Sequence, residues 1–357
     1  MLLILFVVII LYWYKLPQND DGAMQKYLLR TSLLFFLLAG LRNKVIYNDT
    51  LIYVDRFNYL ADMTMQQVIF EYPKDTFFYI VSQVLHPILF HNYTLWLLLI
   101  SASFILPLYR LLKRYSVNYM LSWWCFAFIG IMMFVMAGLR QTVAMGLVIT
   151  SFLYLINGKN IFFFVCIALA YLFHTTSLIF LIVYPLSRLK FTFNKTTIFF
   201  YIIVVTLIIN SGSILLKETI SLLSESDERF VEYRNNGSGS NYTYAFQQLV
   251  LVAPSLYLLR RRYAEPVVSI FSHLSVIALL CVMLSPVIAE MFRVSMYFSW
   301  SILVLFPMAM KEVERKSCLP QLYILFFIFY LVFINKTLTL EYYFWFDDTT
   351  DYIMRTR

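Results

Sequence analysis

Apolar runs long enough to enter a bilayer recur from the first residue to about position 335, separated by short polar turns; no other feature narrows the fold as much. A helix crossing the hydrocarbon core needs about 20 mostly apolar residues, fewer where it bends or ends in aromatics. Runs near 1–14, 28–41, 94–112, 119–136, 141–157, 160–173, 175–187, 196–216, 243–260, 267–286, 292–309 and 319–335 are read as spans on that rule. Lipid cannot hydrogen-bond a bare main chain, so such runs must be helical. The expected fold is all-α: a polytopic membrane protein of about 12 transmembrane helices, in a single domain over 1–357. Composition excludes the alternative of a water-soluble globule, because 61% of the residues are apolar and only 13% are charged.

The N-terminal "MLLILFVVIILYWYK" has neither a basic leader nor a small-residue cleavage site, and is expected to be a retained span. Cys125, Cys166, Cys281 and Cys318 lie in or beside apolar runs, so no disulfide framework or zinc site is implied. The apolar stretch 77–91 carries His86 and Pro87 between polar boundaries and is expected to be re-entrant or surface-lying.

Lysine and arginine collect in the turns "RLLKRYS", "NGKN", "RLKFTFNK", "RRRYAEP" and "KEVERK" and in 15–30. Basic loops stay cytoplasmic, and with both termini outside these segments fall on one inner side holding 16 of the 28 basic residues. If 77–91 spans instead, the first loop and the N-terminus move inside. The preferred topology leaves outer loops at 42–76 and 217–242 and an outer tail at 336–357. Within the second loop, "RNNGSGSNYTY" reads as a flexible tip.

Against this background the polar residues near the outer ends of spans stand out. Arg140 and Gln141 interrupt "FVMAGLRQTVAMGLVI", ahead of the small residues Ala144 and Gly146; Arg42 closes the second span; His174 ends the sixth; and Arg293, with Glu290 one turn before it, enters the eleventh. A guanidinium at such depth costs roughly 2.5–3.5 kcal/mol on insertion scales and persists where an anion or wet cavity meets it. Its planar fork holds phosphate oxygens bidentately. The plainer reading is that each arginine snorkels to headgroups or pairs with an acid, as Arg293 could with Glu290. In the loop 42–76, Val54, Phe57, Leu60 and Ala61 recur at helical spacing opposite Asp55, Asn58 and Asp62, so an amphipathic surface helix followed by an extended turn is expected. Asp49 falls at its N-cap, with Tyr53 one turn on and Glu71 at the far end of the loop. A capping carboxylate, a surface acid and a hydrogen-bonded hinge histidine are the plain readings of Asp49, Glu71 and His174; as a functional reading, Asp49, with Glu71 as a second carboxylate, can take a proton from a sugar hydroxyl, and His174 can shuttle a proton or, when charged, bind a phosphate oxygen. His86 and His91 have no acid beside them and make a poor metal pair, and phosphate-binding glycine loops, a serine nucleophile elbow and HExxH are absent.

The order Arg42, Asp49 with Tyr53, Glu71, "AGLRQTVAMG", Lys159, "ALAYLFHTTSLIF" and "EMFRVSMYF" resembles the EpsG-type branch of the Wzy polysaccharide polymerases over roughly residues 25–310. "NDTLIY" departs from that pattern in carrying Asn48 where a small residue or threonine is usual. The resemblance implies a glycosyltransferase in the bacterial inner membrane with its active site facing outward. It would transfer a growing glycan from undecaprenyl diphosphate to a lipid-linked repeat unit, driven by the glycosyl diphosphate bond. No cofactor, metal or nucleic acid is expected. The partners implied are the undecaprenyl-diphosphate-linked oligosaccharide and the bilayer, with room for a chain-length regulator. On that footing Arg42, Arg140 and Arg293 are expected to hold the diphosphate; Asp49, with Glu71 or His174 as substitutes, to act as base; and Tyr53, Gln141, Glu290 and Tyr297 to position substrate. A lipid-linked oligosaccharide transporter would need cations on both leaflets or along a central path, and a membrane O-acyltransferase would use His174 with an inward-opening acyl path.

Overall fold

The computed structural model describes residues 12, 20–73, 75–188, 193–194, 196–197, 199–201, 203, 241–285, 290–314, 343–344 and 346–347. The chain divides into two compact units, 1–181 with 317–357 and 182–316. Among the described residues the regular structure is helical and no strand forms, with an isolated antiparallel bridge between Arg42 and Phe344.

The first unit contains α1 (Asp21–Gly40), α2 (Asn48–Tyr59), α3 (Met65–Glu71), α4 (Thr76–Ile88), α5 (Tyr93–Tyr115), α6 (Tyr119–Phe128), α7 (Ile131–Ala137), α8 (Leu139–Ile156) and α9 (Asn160–Phe173). Local chemistry sets where several begin. Asp20 accepts from the amides of Gly22 and Ala23, Asn92 from Thr94 and Leu95, and Asn118 from Leu121, so α1, α5 and α6 each start on a side chain that satisfies orphan donors. Helix α5 packs between α1 and α8, and α9 folds back along α8. The main chains of α5 and α8 approach so closely that a Cβ at Gly146 would run into the Ser103 carbonyl, the close contact that small residues permit between membrane helices.

Gly130, with φ at 80°, parts α6 from α7, and the two pieces meet at a 58° bend. The expected span 119–136 is thus a broken helix, because glycine reaches the left-handed region that ends a helix without a Cβ penalty.

The loop 42–76 folds onto the helix ends. Val54 and Phe57 of α2 and the following Leu60 join Val68 of α3 and Phe78 and Tyr79 of α4, and this cluster sits on Trp96, Leu97 and Ile100 of α5 and Leu139 of α8. The apolar face read from the sequence is therefore buried, except that Ala61 is exposed. Two local expectations change. Tyr47 occupies the N-cap of α2, so Asp49 lies in the first turn rather than at the cap. The expected extended turn is helix α3, started by a reciprocal capping box between Thr64 and Gln67.

Three described helices are long and apolar enough to cross a membrane: α5, α8 and Pro266–Leu284; counting each bent pair as one span gives up to five. Of the other expected spans, 28–41 corresponds to α1, 160–173 is the 14-residue α9, and 1–14, 196–216 and 319–335 fall largely outside the described residues. The stretch 77–91 contains α4, whose 13 residues reach only about 20 Å at roughly 1.5 Å per residue, short of the hydrocarbon thickness. It is not counted among the spans.

A 3-10 segment, Thr175–Ile182, leads to the second unit, which holds α10 (Val183–Arg188), α11 (Asn241–Leu259), α12 (Pro266–Leu284), α13 (Glu290–Ser299) and α14 (Ile302–Glu314). Helix α12 packs against α11 and α13, and α11 against α14. The break between α13 and α14, a bend of 55°, is lined by buried polar groups: Gln248 donates to the Ser299 hydroxyl at 3.0 Å, and Ser275 and Ser301 share a hydrogen bond of 2.8 Å. A helix can break inside an apolar bundle when neighbouring side chains meet the polar groups that the break frees.

Candidate functional site

The elbow between α7 and α8 determines where Arg140 lies. Gly138 ends one helix and begins the other, and Thr142 turns its hydroxyl back to the carbonyls of Val135 and Gly138 at 3.1 and 2.9 Å. The Met136 carbonyl on the same elbow accepts from Thr50 Oγ1 of α2 at 2.9 Å and from Arg42 Nη2 at 2.6 Å. Arg42 also donates to the Ala39 carbonyl, and at 1% exposure its guanidinium is turned to the main chain rather than to solvent. Around it, Asn43 is bonded through its amide to the Tyr343 carbonyl at 2.9 Å and through its side chain to Phe344 and Asp347, both at 3.2 Å. Expected to hold diphosphate, Arg42 here ties the end of α1 to the elbow that carries Arg140.

Arg140 stands in the first turn of α8, where the helix dipole is already positive and a cation is disfavoured unless an anion joins it. Three elements converge there. Tyr53 of α2 accepts from Arg140 Nε at 2.8 Å, and the guanidinium carbon lies 5.7 Å from the tyrosine ring centroid. Asp75, at the N-cap of α4, makes an ion pair with Arg140 Nη1. The Tyr53 ring is steadied edge-on by Phe78 at 5.9 Å. The Asp75 and Arg140 side chains remain about a quarter exposed, at 26% and 23%.

A second cation stands beside this group. Arg56, one turn beyond Tyr53 on α2, donates to the Tyr79 hydroxyl at 2.8 Å and lies over the rings of Tyr72 and Tyr79, at 5.5 and 5.9 Å. Burial pushes the Tyr79 phenol up to about 12, against the pull of Arg56, so it stays protonated. Asp75 and Tyr79 are themselves one turn apart on α4.

Of the sequence candidates, Tyr53 and Arg140 are brought into contact. Gln141 is buried at 2% exposure beside Arg140. Asp49 is exposed one turn before Tyr53, and Glu71 is exposed at the end of α3. His174 follows the last residue of α9 and shares a 2.8 Å hydrogen bond with Thr176; its neighbour Phe173 packs edge-on against Phe77 of α4 at 5.0 Å, which brings that helix end to α4. In the second unit, Arg293 and Glu290 form an ion pair of 3.7 Å on α13, and Tyr297, one turn on, is fully buried. Asp75 and Arg56 were not singled out in the sequence. A carboxylate followed by threonine and an apolar run reads as a helix start, and Arg56 reads as the solvated face of an amphipathic helix.

Among the described residues no group of three or more His, Cys, Asp or Glu side chains gathers where it could hold a metal ion. His86 and His91 bond to each other through their Nδ1 atoms at 2.8 Å.

The family model described as the EpsG family matches residues 26–350, nearly the whole chain. The chain belongs to the EpsG family. This is a Wzy-type polymerase family, so the protein is a membrane protein of polysaccharide biosynthesis and a polymerase of the glycosyltransferase-like kind. The match embraces every residue of the Arg140 group and, in the second unit, Arg293. Comparison of this EpsG-family chain with curated proteins and with solved structures found no match.

Proposed function

We propose that the protein extends a polysaccharide by transferring the growing glycan from undecaprenyl diphosphate to a lipid-linked repeat unit, on the outer face of the bacterial inner membrane. The observation that carries this reading is the meeting of Arg140, Tyr53 and Asp75 from three helices at a half-open position, inside a family whose members polymerise glycans. Charge on the leaving diphosphate grows in the transition state, and a fixed guanidinium beside a helix N-terminus is preorganised to receive it. Arg140 takes that role; Arg293, in the second unit, is proposed separately as a diphosphate-binding cation on α13. Tyr53 orients the Arg140 fork and Gln141 lies next to Arg140 in the chain; Glu290 and Tyr297, within the second unit, are proposed separately as substrate-positioning residues. Arg42 supports the site through the Met136 carbonyl. The attacking hydroxyl also needs a proton acceptor, and the first outer loop supplies carboxylates at Asp49, Glu71 and Asp75, with His174 at the end of α9.

The test is deletion of the gene, return of wild-type or Arg140→Gln protein on a plasmid, and electrophoresis of the envelope polysaccharide. Wild type restores a ladder of chain lengths, and Arg140→Gln, present at wild-type level in the membrane, leaves single repeat units. Full ladders from Arg140→Gln overturn the assignment. Intracellular accumulation of lipid-linked units, without polymer outside, points instead to transport.

A further inference from the structure

We propose that Asp75 is a resident placeholder on Arg140, displaced by the incoming lipid diphosphate and thereby released to take the proton of the attacking sugar hydroxyl. The proposal rests on the reading of Arg140 as the diphosphate holder and adds a residue and an order of events to it.

Asp75 sits at the N-cap of α4, where a carboxylate ordinarily accepts from its own helix, yet it makes no capping hydrogen bond and reaches to Arg140 instead. Arg140 needs an anion, since it stands in the first turn of α8 where the dipole repels a bare cation. Tyr53 occupies Nε at 2.8 Å, which leaves the Nη atoms as the free edge of the fork, and Asp75 lies on that edge at Nη1. Phosphate oxygens seek the same edge and can take both Nη atoms with more negative charge than a carboxylate carries. Diphosphate and Asp75 are therefore competitors for one set of donors. Because both side chains are about a quarter exposed, at 23% and 26%, the exchange needs no opening of the core.

Once displaced, the carboxylate has lost its ion pair with Arg140 and lies beside a diphosphate, whose like charge makes proton uptake more favourable. The balance then closes. The hydroxyl proton of the acceptor sugar passes to a carboxylate oxygen of Asp75 as the hydroxyl oxygen bonds to the anomeric carbon of the growing chain. The bond from that carbon to the diphosphate oxygen breaks, its electron pair goes to the diphosphate, and Arg140 receives the added charge. When undecaprenyl diphosphate departs, Asp75 returns its proton to solvent and closes again on Arg140. On this order of events the exposed Asp49 and Glu71 are not the proton acceptor.

The experiment compares wild-type, Asp75→Asn and Arg140→Gln full-length protein in lipid nanodiscs, measuring undecaprenyl diphosphate binding and, in cells, polymer ladders. Asp75→Asn removes the competitor and the base together, so binding tightens about tenfold, as when a closed competing state is abolished, while ladders collapse to single units. Were Asp75 only a support that positions Arg140, its removal would loosen the ligand; looser or unchanged binding, or persistent ladders, overturns the proposal. Arg140→Gln separates the two ideas. Wild-type affinity in that variant sinks the underlying reading, whereas lost affinity there with no tightening in Asp75→Asn sinks the placeholder alone. Wild-type protein gives a readout independent of variant folding: carbodiimide labelling of Asp75, followed by mass spectrometry, rises when undecaprenyl diphosphate is added. Labelling that is unchanged or reduced refutes the exchange.

Discussion

Arg140 Nε donates to the phenol oxygen of Tyr53 at 2.8 Å, although 87 residues separate the two in sequence. That bond fixes the fork's direction and leaves the ring in cation–π range. Replacing Tyr53 with Phe keeps the ring and removes the acceptor, a loss of about 0.5–1.5 kcal/mol for one hydrogen bond. Undecaprenyl diphosphate binding should weaken by roughly three- to tenfold, with thermal unfolding in detergent little changed. Equal affinity in nanodisc titrations of Tyr53→Phe and wild type would remove Tyr53 from the site.

Arg42 gives a different outcome. Its truncation to alanine takes the Arg42 donor from the Ala39 carbonyl, leaves the Met136 carbonyl with Thr50 alone, and empties a place that is 1% exposed. A buried carbonyl left without its donor costs about 1–3 kcal/mol, and the lost packing of the buried side chain adds to it, so Arg42→Ala should reduce the monodisperse peak in fluorescence-detected size-exclusion chromatography. A well-folded Arg42→Ala protein that has lost only ligand binding would return Arg42 to direct diphosphate contact.

Gly146→Ala tests the packing of α8 on α5. The added methyl meets the Ser103 carbonyl and, at 3.1 Å, the Phe104 Cα, both main-chain atoms that cannot rotate away. The helices must separate, at about 1–3 kcal/mol for an overpacked contact, and the unfolding midpoint in detergent should fall by several degrees. An unchanged midpoint would mean that the two backbones do not approach as described.

Acid should loosen the packing of α4. Burial and the neighbouring His91 both hold the His86 imidazole below its ordinary value, with Asp62 pulling the other way. The unfolded chain therefore takes a proton that folded His86 resists, so its contribution to stability is whole above about pH 6.5 and diminishes as the pH drops below that. With both rings charged, two N–H donors would also face each other across the 2.8 Å contact. The midpoint should decline from about pH 7.5 to 5.5 in wild type and less in His86→Asn. Identical profiles for the two proteins would dismiss the coupling.

Arg140 was legible because a permanent cation between apolar residues calls for a reason, and Tyr53 because it follows Asp49 by one turn of a strongly patterned helix. The third member was not. Asp75 looks like any helix-start carboxylate, and only chain closure across 65 residues gives it to a guanidinium instead of its own amides. The capping box at Thr64 and Gln67 was present in the sequence as a Thr-x-x-Gln spacing, and reading it would have replaced the extended turn with α3. The bends at Gly130 and at Trp300–Ser301 leave hydropathy unbroken, so a scan for apolar runs cannot place them.

By itself the sequence determined that the chain is helical and lives in lipid, since apolar runs have no other way to satisfy their main chain there, and its motif order determined the family. Tertiary structure decided what each polar side chain does. Arg42 and Arg140 are the same residue near the ends of similar helices, yet one is sealed against carbonyls at an elbow and the other stays half open against Asp75. A guanidinium's role depends on which acceptors the fold brings to it and on whether water can still arrive, and neither is a property of neighbours along the chain.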